Sequence, residues 1–514
     1  MSPAAVRSRW ILATSAMLAT LLYAIDATIV NVALPHMQGS LQATQDQAAW
    51  IVTAYIVVSA IATPLAGWLG ARFGLRRVML VSVAGFTAGS VLCGIATGLS
   101  EMVAFRMIQG VFGAALVPLS QIVLLQEFPR ESHGRVMAMW GVGVMVGPVL
   151  GPTLGGWLTD SLSWRWAFYI NLPIGIMAWL GLMAAMSKGH GEPHRPFDLK
   201  GFVFLSLAIG LFQLMLDRGQ TQDWFESTEI VAEAFFAAVA LYMYIVHSLT
   251  ARRPFVDIHL FKDRNFTVAL LIQLGIGLAV YAPSVLLPSY LQQLQGYTPA
   301  QAGVLIAARG VASIIAMMLM GRFVGRFEAR RTIVTGLAIV ALSMWMMASF
   351  STDTPARDFV VAGFIQGFGM PLTFMPIIFV AFATLPDSSR TEAGVLLTLV
   401  RNVGGSAGIA ATVALLARSA QVNQSYLTER FTAYSADRWQ VLGGAPGADT
   451  ATGGLLAEIG RQALAIAYSN DFYLLTGVSL LSVPLVLLLR KARTNPAGAG
   501  GAENAAPAVA DAAH

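Results

Sequence analysis

Charged residues are scarce in this sequence. Asp, Glu, Lys and Arg make up only 11% of the 514 residues, whereas 56% are hydrophobic. Soluble domains carry about a quarter charged residues. The mean hydropathy is +0.66. This composition excludes an ordinary soluble globular protein and indicates a chain that is solvated by a lipid bilayer.

Cysteine is almost absent, since Cys93 is the only one. One cysteine excludes an intrachain disulfide and a thiolate metal site within one chain. The sequence has no Gly-Lys-Ser/Thr loop to cradle phosphate and no metal-spaced histidine cluster. We therefore expect neither an enzyme nor a bound cofactor or metal, and an ion gradient rather than ATP as the energy source.

Long apolar runs, by contrast, recur along most of the chain. Each is long enough to cross a hydrocarbon core about 30 Å thick as a helix. The predicted spans are 10–34, 49–69, 78–97, 102–124, 136–157, 166–186, 200–217, 229–249, 266–290, 301–321, 333–350, 359–383, 393–416 and 470–489. The predicted fold class is an all-α integral membrane protein with fourteen transmembrane helices.

The basic residues outside the spans predict the orientation of the helices. One set of connecting segments, which includes both termini, holds 22 basic residues, and the opposite set holds 7. Four of those 7 lie in the long segment 417–468, where loop charge counts for less. Because basic residues are enriched in cytoplasmic loops, we predict that both termini are cytoplasmic.

An internal repeat is visible in the sequence. A shift of 254 residues places Gly67, Arg72, Phe73, Arg76 and Arg77 on Gly321, Arg326, Phe327, Arg330 and Arg331. A shift of 257 places Gln109, Gly110, Pro129, Gly147 and Gly151 on Gln366, Gly367, Pro386, Gly404 and Gly408. Ordered matches of this kind indicate a duplicated transporter fold.

The repeat divides the chain into six, two and six helices. We predict a cytoplasmic tail at 1–9, an N-terminal six-helix half at 10–186 and a two-helix insert with flanking loops at 187–265. A C-terminal six-helix half follows at 266–490, with a periplasmic loop at 417–468. The Ala/Gly-rich tail at 491–514 is predicted to be disordered.

Several segments together resemble the fourteen-helix drug:proton antiporters of the major facilitator superfamily, and within them the EmrB-type multidrug export permeases. These segments are 26–35, 106–110, 147–156, 164–173 and 260–266. The resemblance covers residues 10–490. It implies efflux of small amphipathic compounds across the bacterial inner membrane, driven by protons. It also implies a periplasmic adaptor and an outer-membrane channel, which together with the permease form a tripartite pump.

Other transport functions remain open at this stage. A dedicated exporter of one endogenous metabolite or organic acid and a proton-linked uptake permease would share the fold. The glycine- and proline-rich fifth helix and the fourteen-helix layout favour export over uptake. A membrane sensor or channel lacks support, because the sequence has no soluble signalling domain and no repeated pore loop.

Asp26 is the predicted proton-coupling residue. It is the one carboxylate that the predicted spans place well inside a six-helix half, and a charge at such depth is costly unless it faces a partner or a cavity. Arg106 lies at a similar depth and is the predicted partner, a role that the resemblance also implies. The plainer interpretations are a structural hydrogen bond for Asp26 and interfacial snorkelling for Arg106.

Two glycine-rich segments carry further predictions. In the fifth helix, small residues at four-residue spacing allow close helix packing, and the resemblance identifies them as the antiporter motif: Gly147, Gly151, Pro152, Gly155 and Gly156. The segment after the second helix resembles the cytoplasmic gating loop, with Gly67, Arg72, Gly74, Arg76 and Arg77. Ala71 replaces the acid that is usual in this motif, so its charge relay is not expected here. Positive-inside topology alone explains the arginines about as well.

The predicted substrate cavity is asymmetric. In the second half, the counterpart of Asp26 is expected near Ala279 or Val280, and no acid occurs there. Acid on one wall and arginine on the other would suit anionic or zwitterionic substrates, although each arginine is equally able to meet a backbone carbonyl. The candidate cavity residues are Tyr23, Gln109, Arg309, Gln366 and Arg401.

Overall fold

The computed structural model describes residues 3–129, 132–187, 196–252, 254–323, 328–386, 389–429 and 449–490. Within these ranges the regular structure is helical. The α-helices are α1 (Pro3–Ser40), α2 (Gln45–Phe73), α3 (Leu75–Ile95), α4 (Leu99–Gly113), α5 (Leu116–Glu127), α6 (His133–Ser161), α7 (Trp166–Tyr169), α8 (Asn171–Ala185), α9 (Leu199–Arg218), α10 (Thr228–Thr250), α11 (Arg264–Tyr281), α12 (Pro283–Gln293), α13 (Pro299–Phe323), α14 (Ala329–Ala348), α15 (Ala356–Ala383), α16 (Arg390–Glu429) and α17 (Asp449–Leu487).

Proline explains why seventeen α-helices make fourteen crossings. Three crossings are each divided into two helices, α4 with α5, α7 with α8, and α11 with α12. Pro118, Pro173 and Pro283 lie in the first turn of the second helix of each pair. A proline has no N–H and clashes with the carbonyl four residues before it, so the helix is interrupted on its N-terminal side.

The predicted spans agree closely with the described helices. Thirteen helical segments in the described residues are long and apolar enough to cross a membrane. The fourteenth crossing is the 29-residue helix α6, in which the side chains of residues 148, 149, 152, 153 and 160 lie outside the described part. Thr44 begins α2 with a capping box, in which its side chain and that of Gln47 each accept a hydrogen bond from the other's backbone N–H.

The predicted periplasmic segment 417–468 is helical over most of its length rather than an irregular loop. Helix α16 continues to Glu429 and α17 begins at Asp449; residues 430–448 and the predicted disordered tail at 491–514 lie outside the described residues. The polar residues of these extensions hide the helical pattern from a search for apolar runs. Helix α17 is 39 residues long, or about 58 Å at 1.5 Å per residue, so it extends beyond the hydrocarbon core.

The internal repeat is present in the contacts as well as in the sequence. Ser59 Oγ of α2 donates a hydrogen bond to the carbonyl of Gly110 in α4 (3.0 Å). At the positions 254 and 257 residues later, Ser313 Oγ of α13 donates to the carbonyl of Gly367 in α15 (2.8 Å). Helices α1–α8 therefore form one six-crossing half, and α11–α17 form the second half with the same internal packing.

The inserted helices α9 and α10 pack on one flank of the molecule. Helix α9 contacts α10, α2 of the first half and α16 of the second half. Gly210 of α9 lies against Ile61 of α2, and the Gln213 amide donates a hydrogen bond to Ser406 Oγ of α16 (2.8 Å). The insert thus covers the seam between the two halves on the α2 and α16 side.

The two halves pack together at one end of the bundle. We call this the terminal end, where α1 begins and α17 ends, and the opposite one the far end. One buried apolar cluster at the terminal end includes Val123 and Met137 of the first half with Phe382 and Leu396 of the second. At the far end, the described residues form two clusters, each confined to one half. The structure is therefore a conformation closed at the terminal end.

Candidate functional site

Asp26 and Arg106 form a buried ion pair inside the first half. Arg106 Nη1 donates to Asp26 Oδ2 at 2.7 Å, and the exposed fractions of the two side chains are 1% and 0%. Gln109 Nε2 donates to Asp26 Oδ1 (2.9 Å), as does Asn171 Nδ2 (3.2 Å). Both carboxylate oxygens are thus satisfied, and the acid is held as an anion by a fixed cation and two amides.

The surroundings of Arg106 hold its guanidinium in place. Its Nε atom donates to the carbonyl of Ile51 (3.2 Å), and its Nη1 atom also donates to Gln109 Oε1 (2.7 Å). The guanidinium carbon lies 4.0 Å from the ring centroid of Tyr55 and 5.8 Å from that of Phe168. Helices α1, α2, α4 and α8 therefore all contribute to the site, which explains how an ion pair is tolerated at this depth.

Asn171 is a site residue that sequence reasoning did not single out. It begins α8 after the break at Ile170, is fully buried and donates a second hydrogen bond to Ser90 Oγ (2.9 Å). Its position beside Pro173 in the segment 164–173 was the available signal. A buried amide next to a helix break needs a polar partner, and the partner is Asp26.

The glycines of α6 lie against α1. A Cβ atom at Gly147 would come within 2.3 Å of Ala24 Cβ, and one at Gly151 within 1.9 Å of Thr28 Oγ1. Gly155 meets Ile29 in the same way, whereas a Cβ at Gly156 would be 3.9 Å from its nearest atom. The described glycines of the motif, apart from Gly156, therefore let two helices touch at backbone distance. The side chain of Pro152 lies outside the described residues.

The predicted gating loop joins α2 to α3 at the terminal end. Gly74 has φ 88°, in the region that favours glycine, and its N–H donates to Gly70 O (3.0 Å). The Arg72 guanidinium lies 5.6 Å from the ring centroid of Trp68. Arg76 Nη2 donates to the carbonyl of Met183 (2.7 Å), and Arg77 is exposed.

Gly67 lies where the two halves meet. A Cβ atom at this position would be 3.2 Å from Val395 Cγ2 of α16. The close approach of α2 and α16 is one of the contacts that close the terminal end.

The five predicted cavity residues are not brought together. Gln109 belongs to the ion-pair cluster, and Gln366 is fully buried with neither its Oε1 nor its Nε2 atom hydrogen-bonded. Arg309 Nη2 donates to Ser284 Oγ (3.1 Å) within the second half. Among these five residues, Tyr23 and Arg401 interact electrostatically across the two halves.

A cluster at mid-depth joins the halves. The indole of Trp140 in α6 stacks on Phe374 in α15, with centroids 6.2 Å apart and planes 11° apart. The Arg401 guanidinium lies 4.8 Å from the centroid of the same Phe374 ring, and its Nε atom is buried without a hydrogen-bond partner among the described residues. Trp140 of the first half and Phe374 and Arg401 of the second therefore form an aromatic and cationic contact between the halves, which we call the inter-half cluster.

The repeat relates the ion-pair site to a position without one. Gly147 contacts Ala24, and its repeat partner Gly404 contacts Leu274. These contacts relate α1 to α11 by a shift of 250 residues, which makes Ile276 the counterpart of Asp26. The predicted counterpart near Ala279 or Val280 is thus wrong by about one helical turn, because the connecting segments of the halves differ in length. The prediction that the second half has no acid at the counterpart of Asp26 is nevertheless correct, since Ile276 is apolar.

The model of the Major Facilitator Superfamily matches residues 16–409.

The chain belongs to the Major Facilitator Superfamily.

Relatives within the Major Facilitator Superfamily cover nearly the whole chain. The chain is 35% identical over 481 residues to "Multidrug export protein EmrB" of Haemophilus influenzae, covering 92% of this chain and 94% of the relative. It is 33% identical to "Multidrug export protein EmrB" of Escherichia coli K12, covering 94% and 95%. "Fatty acid resistance protein FarB" of Neisseria gonorrhoeae is also 33% identical, covering 94% and 96%. The resemblance to EmrB-type permeases is confirmed.

A solved structure of the superfamily shares the fold. The human organic anion transporter MFSD10 (TETRAN) matches with a TM-score of 0.61 at 14% identity, covering 95% of this chain and 100% of that chain. The predicted fold class, two six-helix halves with two inserted helices, is therefore confirmed. The chain is a multi-pass membrane protein of a transporter family.

Proposed function

We propose that this protein exports small amphipathic drugs or toxic organic compounds in exchange for protons, by alternating access. The buried Asp26 and Arg106 pair carries the proposal. A carboxylate held 2.7 Å from a cation that keeps its proton is a group that binds and releases a proton when the pair opens and closes. The names of the relatives, which describe drug export and fatty acid resistance, support export over uptake and over one dedicated metabolite.

The closed end sets the direction of the mechanism. With the termini in the cytoplasm, as the basic residues predict, the terminal end is cytoplasmic and the conformation described faces outward. A proton from the outside neutralises Asp26, loosens its bond to Arg106 and favours rocking of the halves. Release of that proton to the inside restores the ion pair. The proton gradient is then the energy source, and no cofactor is used.

The same relatives support a proposal for the location and the partners. We place the protein in the bacterial inner membrane with both termini cytoplasmic. A periplasmic adaptor and an outer-membrane channel would complete a tripartite pump, and the extensions of α16 and α17 beyond the membrane supply a surface on the outer side for an adaptor. The inter-half cluster of Trp140, Phe374 and Arg401 offers aromatic area and a cation whose Nε atom makes no hydrogen bond within the described residues, which suits an amphipathic anion.

Transport into vesicles tests the proposal. Purified protein in liposomes is given a proton gradient, and uptake of lipophilic drugs and of medium-length fatty acids is followed. The parent chain is expected to move at least one of these compounds in a gradient-dependent manner, and Asp26→Asn to lose that movement while it still binds the compound. Asp358→Asn, at an exposed helix end, is the matched control. Gradient-independent transport by the parent chain would disprove the antiporter assignment.

A further inference from the structure

The second half contains a buried acid that the predicted spans place at a membrane boundary. Asp471 is the second residue of the predicted span 470–489, but α17 begins 22 residues earlier, at Asp449. Asp471 is therefore inside the helix, and its exposed fraction is 2%. The prediction that Asp26 is the one carboxylate well inside a six-helix half is wrong.

Contacts place Asp471 in the far part of the second half. Ser469 Oγ bonds the carbonyl of Ala348, the last residue of α14, and the rings of Tyr468 and Tyr290 of α12 lie 5.2 Å apart. Gly275, which precedes the Asp26 counterpart Ile276, faces Ser482 of α17 instead. Asp471 therefore lies about 16 Å nearer the far end than Ser482, at 1.5 Å per residue. The two acids thus lie at different depths in opposite halves.

The surroundings of the two acids differ. Asp26 accepts hydrogen bonds from Arg106, Gln109 and Asn171. The neighbours of Asp471 along α17, which are Tyr468, Phe472 and Leu475, belong to the apolar far-end cluster of the second half. The Oδ2 atom of Asp471 is buried and makes no hydrogen bond within the described residues.

Charged and titratable groups on the neighbouring helices do not compensate Asp471. Helix α17 packs against α11, α12, α14 and α16. The titratable residues along the membrane-spanning parts of these helices are Tyr281, Tyr290, Arg401 and Arg418. Arg418 is exposed, and none of the four acts electrostatically on Asp471. Tyr468, one turn nearer the far end on α17, is the titratable group that interacts with Asp471.

We propose that Asp471 is a second proton-binding residue, which is protonated in this conformation while Asp26 is the ion-paired anion. A carboxylate buried without a partner is costly as an anion, and the neutral acid removes that cost. The site is enclosed by the far-end cluster of the second half, so a drug does not fit and a proton does. In the cycle, an O–H bond forms at the Asp471 carboxylate with a proton from the far side, and the same proton leaves when the halves rock. This proposal rests on the proposed antiport and adds a proton site in the second half to the site at Asp26 in the first.

Infrared spectroscopy of the protein in lipid tests protonation without transport. At neutral pH the parent chain is expected to show a carboxylic acid C=O band that Asp471→Asn removes and Asp26→Asn retains. Asp471→Asn keeps the size of the side chain and is expected to fold. If the parent band is unchanged in Asp471→Asn, the residue is not protonated in this state and the proposal is overturned.

Proton counting tests the role in transport. Asp471→Asn is expected to lower the protons exchanged per drug and to reduce gradient-driven uptake at least tenfold, whereas Asp471→Glu keeps the pH profile of the parent. Asp358→Asn is the control. Parent-like stoichiometry and rate in Asp471→Asn would reduce Asp471 to a structural role and overturn the proposal. A parent chain without any drug:proton exchange would defeat the proposed function instead, while the infrared band would still report the proton on Asp471.

Discussion

Removal of either partner of the buried ion pair is predicted to have unequal consequences. Asp26→Asn keeps the shape of the side chain and two polar atoms able to form hydrogen bonds. It leaves the positive charge of Arg106 uncompensated, although the Arg106 side chain is only 1% exposed. Removal of one partner of a buried pair costs about 3–5 kcal/mol. Arg106 retains its bonds to Ile51 and Gln109 and its contact with Tyr55, so we expect the lower end of that range, about 3 kcal/mol.

Arg106→Gln is expected to cost less at low pH than at high pH. Arginine does not release its proton within proteins, but Asp26 is able to take one up and become neutral when its cation is gone. The folded variant then binds one more proton than the unfolded chain, so the free energy of unfolding falls as pH rises, by up to about 1.4 kcal/mol per pH unit. The Asp26→Asn variant has no carboxylate to take up this proton. Its free energy of unfolding is therefore expected to depend on pH as that of the parent does.

Thermal unfolding of the purified proteins in detergent, between about pH 5 and about pH 8, measures both effects. Each variant is compared with the parent chain at the same pH, because other groups contribute to the common slope. A cost below about 1 kcal/mol for Asp26→Asn would show that the pair behaves like an exposed one. An Arg106→Gln variant with the parent's pH dependence would refute the transfer of a proton to Asp26.

Three further predictions concern packing. Gly151→Ala should destabilise the protein by about 1–3 kcal/mol and impair transport, because its Cβ would lie 1.9 Å from Thr28 Oγ1. Gly156→Ala is the control. Its Cβ would lie 3.9 Å from the nearest atom, so it should be nearly neutral in the same unfolding and uptake assays. A Gly67→Cys and Val395→Cys pair should form a disulfide, since the two Cβ positions are 3.6 Å apart. The disulfide should lock the terminal end closed and stop uptake until a reductant is added. Failure of the two cysteines to cross-link would contradict the described conformation. Gln366→Leu should raise the free energy of unfolding by about 1–3 kcal/mol by removing an unbonded buried amide; a loss of stability would reveal a partner that the described structure lacks.

The crossings and the ion pair were predictable because each depends on a local signal. An apolar run about 20 residues long is sufficient to locate a helix in a bilayer. A single acid and a single arginine at matching depths have few other groups to pair with, and Asp26 and Arg106 lie 2.7 Å apart as expected. The glycine spacing in α6 likewise indicated a close helix contact, which Gly147 and Gly151 make with α1.

The parts that were missed depend on tertiary packing. The sequence did not indicate that Asp471 is buried inside a helix. The first half of α17 is too polar to be recognised as an apolar run, so the predicted span began one residue before Asp471. The buried amide of Gln366 lacks hydrogen bonds because the ionic partners of its counterpart Gln109 are lost in the second half, which a count of residues along the chain does not reveal. The pairing of Trp140 with Phe374 joins two halves whose relative position no sequence pattern specifies.

The inserted helices give the molecule one covered and one uncovered flank. Because α9 rests on both α2 and α16 and is bonded to Ser406 through Gln213, the seam on that side is shut off from the surrounding lipid. The opposite seam, between α6 and α13, has no such cover among the described helices. The rocking of the halves must therefore either carry α9 along with one of them or break its bond to the other once in every cycle.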